Sequence, residues 1–143
     1  MTVLHELLGN KVLWTGIAGW FAAQLLKTIW LLMKEKKWHF SRLVGSGGMP
    51  SSHSSIAAAL SVAVGRTSGF DSLLFAIAMC FSLVVMYDAC GVRYEAGKHA
   101  QILNRMYPDG QEKPLKELLG HTVPEVLAGA LLGIIIGSIV PIS

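Results

Sequence analysis

Two histidines of this chain each stand at the start of an apolar segment, where each could meet a phosphate group. His53 follows a Gly-Gly-Met-Pro-Ser-Ser run, and His121 precedes Glu125 by four residues. Residues four apart share one helix face, so Glu125 could accept a hydrogen bond from His121 and leave its other ring nitrogen basic. A basic imidazole can attack phosphorus, and a protonated one can donate to a leaving oxygen. A Glu–His cap at a membrane interface is the plainer alternative for His121 and Glu125.

The stretch before His53 has the composition of an anion-binding turn. Glycines such as Gly48 let successive backbone N–H groups point inward, and Pro50 suits the first turn of a helix. Ser51 or Ser52 can cap that helix, whose N-terminus favours an anion. We therefore predict phosphate contacts at Gly48, Ser51 and Ser52. A Gly-rich turn that simply caps a membrane helix explains this stretch equally well when it is taken alone.

Phosphate also needs fixed positive charge, and the candidates are Lys27, Arg42 and Arg93. Lys27 lies inside the first apolar segment, from which it could extend to the lipid headgroups or point at the site. Arg93 could instead pair with Asp88 or Glu95. Those two carboxylates raise the alternative of a Mg²⁺ site, although two carboxylates seven residues apart are weak evidence for a metal.

The composition is that of a membrane protein. Of the 143 residues, 52% are hydrophobic and 15% are charged, whereas soluble domains carry about 25% charged residues. The length suits a single domain over residues 1–143. The two cysteines, Cys80 and Cys90, are expected to be buried free thiols. The net charge is +3 and no basic patch is interleaved with aromatic residues, so we expect no nucleic acid partner.

Four apolar segments could form the membrane domain, and they cover residues 12–33, 50–65, 72–87 and 123–142. The second and third are shorter than the roughly 20 residues of a standard span. Short amphipathic helices are predicted near residues 1–10 and 93–106. The expected fold is all-α, a polytopic membrane helix bundle of about four transmembrane segments plus short interfacial helices.

The fourth segment carries glycines at spacings of four, at positions Gly129, Gly133 and Gly137. In lipid, such faces let helix backbones approach closely. We favour packing within one chain, and a homodimer through these glycines is the alternative.

Orientation follows from the loops. If all four segments span, the two long loops that carry most of the basic residues share one side of the membrane. The positive-inside rule then places this side in the cytoplasm. The expected location is the plasma membrane.

Three stretches together resemble the divergent type-2 phosphatidic acid phosphatase family. They read Gly-Gly-Met-Pro-Ser-Ser-His-Ser at 47–54, Asp-Ala-x-Gly-Val-Arg at 88–93 and Leu-Gly-His-Thr-x-x-Glu-Val at 119–126. Gln24-x-x-Lys27 and the stretch from Ala100 to Asn104 fit the family as well, so the resemblance spans nearly the whole chain. The superfamily joins lipid phosphatases to vanadium-dependent haloperoxidases.

The resemblance implies roles for the two histidines. His121 would attack phosphorus and form a phosphohistidine, with Glu125 where the family usually has an aspartate. His53 would protonate the leaving alkoxide. A lysine and two arginines would bind the phosphate oxygens without a metal or other cofactor.

The chain also departs from the superfamily's motifs. Lys36 to Arg42 is one residue short of the first motif's spacing, and Leu115-Lys116 replaces the Ser-Arg of the third. We expect Lys27 and Arg93 to supply the missing charge.

The resulting hypothesis is a membrane lipid phosphatase that acts on a phosphomonoester or pyrophosphate. Its substrate would be phosphatidate, phosphatidylglycerophosphate or an isoprenyl phosphate. The departures favour an alternative, a non-catalytic protein that binds anionic lipids or acts as a scaffold. A Mg²⁺-dependent transferase using Asp88 and Glu95 is a third.

Overall fold

Six helices make up most of what the computed structural model describes, which is residues 2–35, 48–107 and 114–142. They are α1 (Val3–Gly9), α2 (Lys11–Glu35), α3 (Ser52–Ser68), α4 (Leu73–Cys90), α5 (Val92–Met106) and α6 (Val123–Ile139). These ranges contain no strand. The predicted all-α class is confirmed.

Helix α3 is the central helix and packs against α2, α4 and α6. Its buried residues are small, among them Ala59, Ala63 and Ser55. The large apolar side chains of the other helices face outward, and Leu73 is 76% exposed while Ile139 is 67% exposed. A small-residue interior beneath an apolar surface is typical of helices in lipid, where close backbone approach stabilises the packing.

Helices α3 and α6 run parallel and touch along the predicted glycine face. A side chain at each of the three glycines would collide with a backbone carbonyl of α3 or its N-cap, in the pairs Gly129 with Ser51, Gly133 with Ser55 and Gly137 with Ala59. Both members of these pairs advance by four residues, so the helices share one direction and their N-termini lie at the same end. The face is occupied within the chain. This is the packing within one chain that we favoured, and self-association of the protein stays a prediction.

Helices α2 and α4 run antiparallel to α3. A side chain at Gly16 would contact Leu60 at 3.5 Å, and one at Gly19 would meet Ala59 at 2.8 Å, so α2 and α3 advance in opposite directions. A short turn joins α3 to α4. The C-terminal parts of α2 and α4 therefore share one end of the bundle with the N-termini of α3 and α6. We call this end, which carries Lys27 and the stretches 48–54, 88–93 and 119–126, the motif end.

Serine hydroxyls join the helices in the interior. Ser55 Oγ donates to Gly19 O of α2 at 2.8 Å, and Ser82 Oγ of α4 donates to Ala57 O of α3 at 2.9 Å. Ser61 and Ser82 share a further hydroxyl–hydroxyl bond of 2.7 Å. In membranes such bonds average about 0.6 kcal/mol each, so they guide helix pairing more than they dominate stability.

A guanidinium fastens the end opposite the motif end. Arg66, in the last turn of α3, donates from Nη1 to Gly137 O at 2.7 Å and to Val140 O at 2.8 Å. Those carbonyls belong to the C-terminus of α6, which favours a cation because of the helix dipole.

One helical stretch in the described ranges meets the requirements of a membrane span in both length and hydropathy. Leu73–Met106, which comprises α4 and α5 and turns at Gly91, is long and apolar enough to cross a bilayer by length and composition. Helices α3 and α6 have 17 residues each, about 26 Å at 1.5 Å per residue, against a hydrocarbon core of about 30 Å. The figure of about four transmembrane segments stays a prediction.

The predicted burial of the cysteines was wrong for Cys80, which is exposed, while Cys90 is half-buried. Both are free thiols.

We expect Gly133→Val to destabilise the bundle by about 1–3 kcal/mol, the usual effect of overpacking. The added side chain would meet Ser55 O and the Ala58 side chain, and backbone of a packed helix cannot move aside cheaply. Thermal unfolding in detergent measures the change. The control Leu131→Val, at a side chain that is 60% exposed, should stay within about 0.5 kcal/mol of the parent. Equal stability of the two variants would contradict the parallel α3–α6 packing.

Candidate phosphate and histidine site

The N-terminus of α3 is capped by Ser51. Its Oγ accepts a hydrogen bond from Ser54 N at 3.3 Å, and its backbone N donates to Glu125 O of α6 at 3.0 Å. Ser51 is fully buried and Ser52 is nearly so. The capping role predicted for the Ser51–Ser52 pair is thus taken by Ser51.

His121 is held just before α6 by its own backbone. His121 N donates to Ala89 O, near the end of α4, at 3.0 Å, and the imidazole is 3% exposed. Glu125 Oε2 accepts from Thr122 N at 2.7 Å and lies 3.6 Å from His121 Nδ1. That separation is too long for a hydrogen bond, and it would make an ion pair only with a protonated His121. Glu125 therefore caps α6 while its charge remains beside the His121 ring.

The two histidines line one cavity of about 120 Å³. Asp88 and Arg93 line it too, and the walls are completed by Val85, Ala89 and Leu119. At about 30 Å³ per water, the cavity has room for about four waters, or for a phosphate group of similar size. The structure thus brings together residues from all three stretches that the sequence singled out.

Positive potential converges on the motif end. The N-termini of α3 and α6 both lie there, and each brings the positive end of a helix dipole. Lys27 is 3% exposed, and its Nζ has no hydrogen-bond partner in the part of the chain that the structure describes. A buried ammonium without an acceptor is unfavourable, so an anion bound near it would be stabilised.

The same environment keeps His121 neutral. Burial, followed by the positive charge of Lys27, lowers the pKa of His121 below its ordinary value, and the Glu125 carboxylate only partly opposes this. An ordinary histidine has a pKa of about 6.5. His121 is therefore uncharged at pH 7, which is the form that a nucleophile requires.

Arg93 is paired within the chain, as the alternative interpretation had it. Its Nε donates to Asp88 Oδ2 at 2.5 Å, and both side chains are partly exposed at the cavity. Glu95 does not line the cavity and holds Lys98 instead, at 2.9 Å. Asp88 and Glu95 thus contact different cations, and the described ranges contain no group of three or more His, Cys, Asp or Glu residues that could hold a metal ion.

The comparisons with known proteins agree with the sequence resemblance. Residues 8–136 match the Divergent PAP2 family. The chain belongs to this family. It is also 37% identical over 148 residues to the uncharacterized membrane protein YuiD of Bacillus subtilis (strain 168), a match that covers 92% of this chain and 94% of the relative. No solved structure matches.

Other predicted phosphate contacts of this divergent PAP2 protein lie outside the cavity lining. Gly48 has φ of +86°, a backbone conformation that favours glycine, and a side chain at this position would reach the aliphatic stem of Lys27. Ser51 and Ser52 do not line the cavity either, because their side chains are buried at the start of α3. Arg42 lies outside the described residues.

Sequence reasoning gave no role to Asn104, which fastens the segment that leads to His121. Leu115 N donates to Asn104 Oδ1, and Asn104 Nδ2 donates to Leu115 O, both at 2.9 Å. Nδ2 also donates to Glu117 Oε1 at 2.8 Å. A side chain at Gly97 of α5 would collide with Glu117 O, so residues 114–120 lie directly on α5. The sequence feature that pointed to Asn104 was the match of the stretch from Ala100 to Asn104 to the family pattern. That match did not indicate which residues Asn104 contacts.

We expect Asn104→Ala to free this segment, since three hydrogen bonds would be lost. The free energy of local opening should fall by about 1 kcal/mol or more, and hydrogen exchange at the Leu115 amide should accelerate roughly fivefold or more. Asn104→Asp keeps the acceptor for Leu115 N and should give an intermediate rate. Unchanged exchange in Asn104→Ala would show that the segment is held by other contacts.

We expect Lys27→Met to raise the pKa of His121, because the positive charge that opposes protonation is removed. The value should move toward about 6.5, so His121 would become protonated at higher pH than in the parent. Histidine NMR during a pH titration in detergent measures this without any substrate. Lys11→Met, at the opposite end of α2, should leave the His121 titration unchanged. A lower pKa in Lys27→Met would contradict this account.

Proposed function

We propose that this protein is a membrane lipid phosphatase that hydrolyses a phosphomonoester or pyrophosphate on a lipid. The observation that carries the proposal is the cavity that His53 and His121 both line, at the end of the bundle that also carries the N-termini of α3 and α6 and the buried Lys27. Membership of a phosphatase-related family supports it. Phosphatidate, phosphatidylglycerophosphate and isoprenyl phosphates are the proposed substrates.

The first step is attack by His121. Its Nε2 forms a bond to phosphorus while the bond from phosphorus to the alkoxide oxygen breaks. His53 donates a proton to that oxygen, so an alcohol leaves and a phosphohistidine remains. With a pyrophosphate, the leaving oxygen belongs to the phosphate that stays on the lipid. Glu125, 3.6 Å from Nδ1, stabilises the positive charge that develops on the His121 ring.

The second step is hydrolysis of the phosphohistidine. A water oxygen attacks phosphorus, the phosphorus–nitrogen bond breaks, and inorganic phosphate leaves. His53, neutral after the first step, takes the proton of the water and is restored as an acid. The N–H groups at the helix N-termini, with Lys27 and Arg93, stabilise the charge on the phosphoryl oxygens. We propose no metal and no other cofactor in either step.

The membrane setting follows from the outward-facing apolar residues and from a relative that is named a membrane protein. We propose an integral, multi-pass protein of the plasma membrane with the motif end toward the cytoplasm. The substrate phosphate would then meet the cavity at the headgroup level of that leaflet.

A second candidate is a protein that binds anionic lipid headgroups without turnover. It is favoured by the Asp88–Arg93 pair, because a carboxylate that already holds a cation within the cavity competes with phosphate for it. Binding and turnover can be measured separately, so the two candidates are distinguishable.

Release of inorganic phosphate by the purified protein in detergent tests the proposal. The panel is phosphatidate, phosphatidylglycerophosphate and isoprenyl phosphates, each with and without EDTA. We expect release that survives EDTA, falls to background in His121→Ala, and falls about 10²- to 10⁴-fold in His53→Ala, the usual contribution of a general acid. His99→Ala, an exposed histidine on α5 outside the cavity, is the matched control and should keep parent activity.

Three outcomes would overturn parts of this account. Full turnover in His121→Ala would exclude the phosphohistidine. Loss of release in EDTA would indicate a required metal. Tight lipid phosphate binding with no release by a folded protein would favour the headgroup-binding candidate.

A further inference from the structure

A second cavity, of about 360 Å³, lies between α2 and α6 beside the loop that precedes α3. All of its lining residues are apolar, and they include Leu26, Trp30, Met33, Met49, Pro50 and Leu132. On α2 they recur at helical spacing, so they form one face. This groove, as we call it, opens outward: Trp30 is 58% exposed and Met33 is 75% exposed. An outward-facing groove without a polar lining residue suits hydrocarbon rather than water.

The groove adjoins the candidate phosphate site through the chain itself. Leu26 directly precedes Lys27 on α2, and Met49 and Pro50 lie between Gly48 and Ser51. A side chain at Gly48 would reach the Lys27 stem at 3.8 Å, so the loop lies close to it. The Lys27 ammonium and the groove therefore share one helix and one loop.

Helix α6 forms the other wall of the groove and also connects the groove to the candidate phosphate site. Glu125, whose carbonyl accepts from Ser51 N, is in the first turn of α6, and the groove residues Ala128 and Leu132 follow it by three and seven residues. Positions three, four and seven residues apart lie on one helix face. Both walls of the groove thus lead toward the motif end, where the buried cation lacks a hydrogen-bond acceptor in the described part of the chain.

We propose that the groove holds one hydrocarbon chain of a lipid whose phosphate lies at Lys27 and the two histidines. The buried ammonium and the helix N-termini would hold the anion, and the apolar walls would hold the chain beside it. A ligand with both parts satisfies both features, whereas inorganic phosphate or an uncharged lipid satisfies only one. The expected effects on turnover rest on the proposed function. The expected binding of a lipid with its chain in the groove does not.

Filling the groove tests the inference. Ala128→Phe places a large side chain at a groove wall, and we expect KM for a long-chain phosphatidate to rise at least tenfold with little change for a dihexanoyl phosphatidate. The matched control is Leu127→Phe, at the adjacent position, which is 62% exposed and does not line the groove. It should change neither value. Equal effects of Ala128→Phe on both substrates, or no effect on either, would overturn the proposal.

A measurement on the parent protein avoids both turnover and folding defects. Phosphatidate with a photoreactive diazirine in its acyl chain should label Trp30, Met33 or Met49, and excess phosphatidate should suppress the label while diacylglycerol should not. Equal labelling by a diacylglycerol probe would show bulk lipid only and overturn the proposal, as would labelling confined to other surfaces. Specific labelling without any phosphate release would contradict the proposed phosphatase while leaving the groove assignment intact.

Discussion

The contact between α3 and α6 is backbone against backbone, and the geometry of the motif end depends on it. Gly129, Gly133 and Gly137 carry no side chain, so α6 lies directly on the carbonyls of α3 and its N-cap. Because the two helices run parallel, the positive ends of their dipoles lie together at one end of the bundle. An antiparallel pair would have placed a positive dipole end beside a negative one. The small residues thus determine the electrostatics as well as the packing.

That electrostatic setting explains why the charged residues of this end take the positions they do. Glu125 accepts from the N–H of Thr122, the N-cap of its own helix, Asp88 holds Arg93, and Lys27 is buried without a hydrogen-bond acceptor among the described residues. The carboxylates are occupied by the protein, whereas the ammonium and the positive ends of two helix dipoles remain for a ligand. An anion that enters this region gains interactions that water supplies poorly in a buried setting.

The sequence predicted local features well. It predicted less well which helices and side chains contact each other. Apolar runs, the turn around Gly48 and the Glu125 spacing are short-range signals, and the helices formed where they indicated. The glycine face was recognised, but its partner was open, because a pattern of small residues specifies a face and not the helix that covers it. The Asn104 contacts join positions eleven and thirteen residues apart, and no local pattern encodes them. The pairing of Arg93 with Asp88 was likewise one of several possibilities until the structure gave the distance.

Arg66 holds α3 and α6 together at the end opposite the motif end. It clamps the C-terminus of α6 to α3, and Ser51 N clamps the N-terminus of α6 at Glu125 O. Because α3 and α6 are bonded to each other at both ends, they are held together along their length. His53 and Glu125 lie on this helix pair, whereas Asp88 lies on α4 and Arg93 lies on α5. The cavity is therefore built from two units, the α3–α6 pair that carries His53 and the α4–α5 stretch that carries Asp88 and Arg93, and the bond from His121 N to Ala89 O joins them beside the cavity.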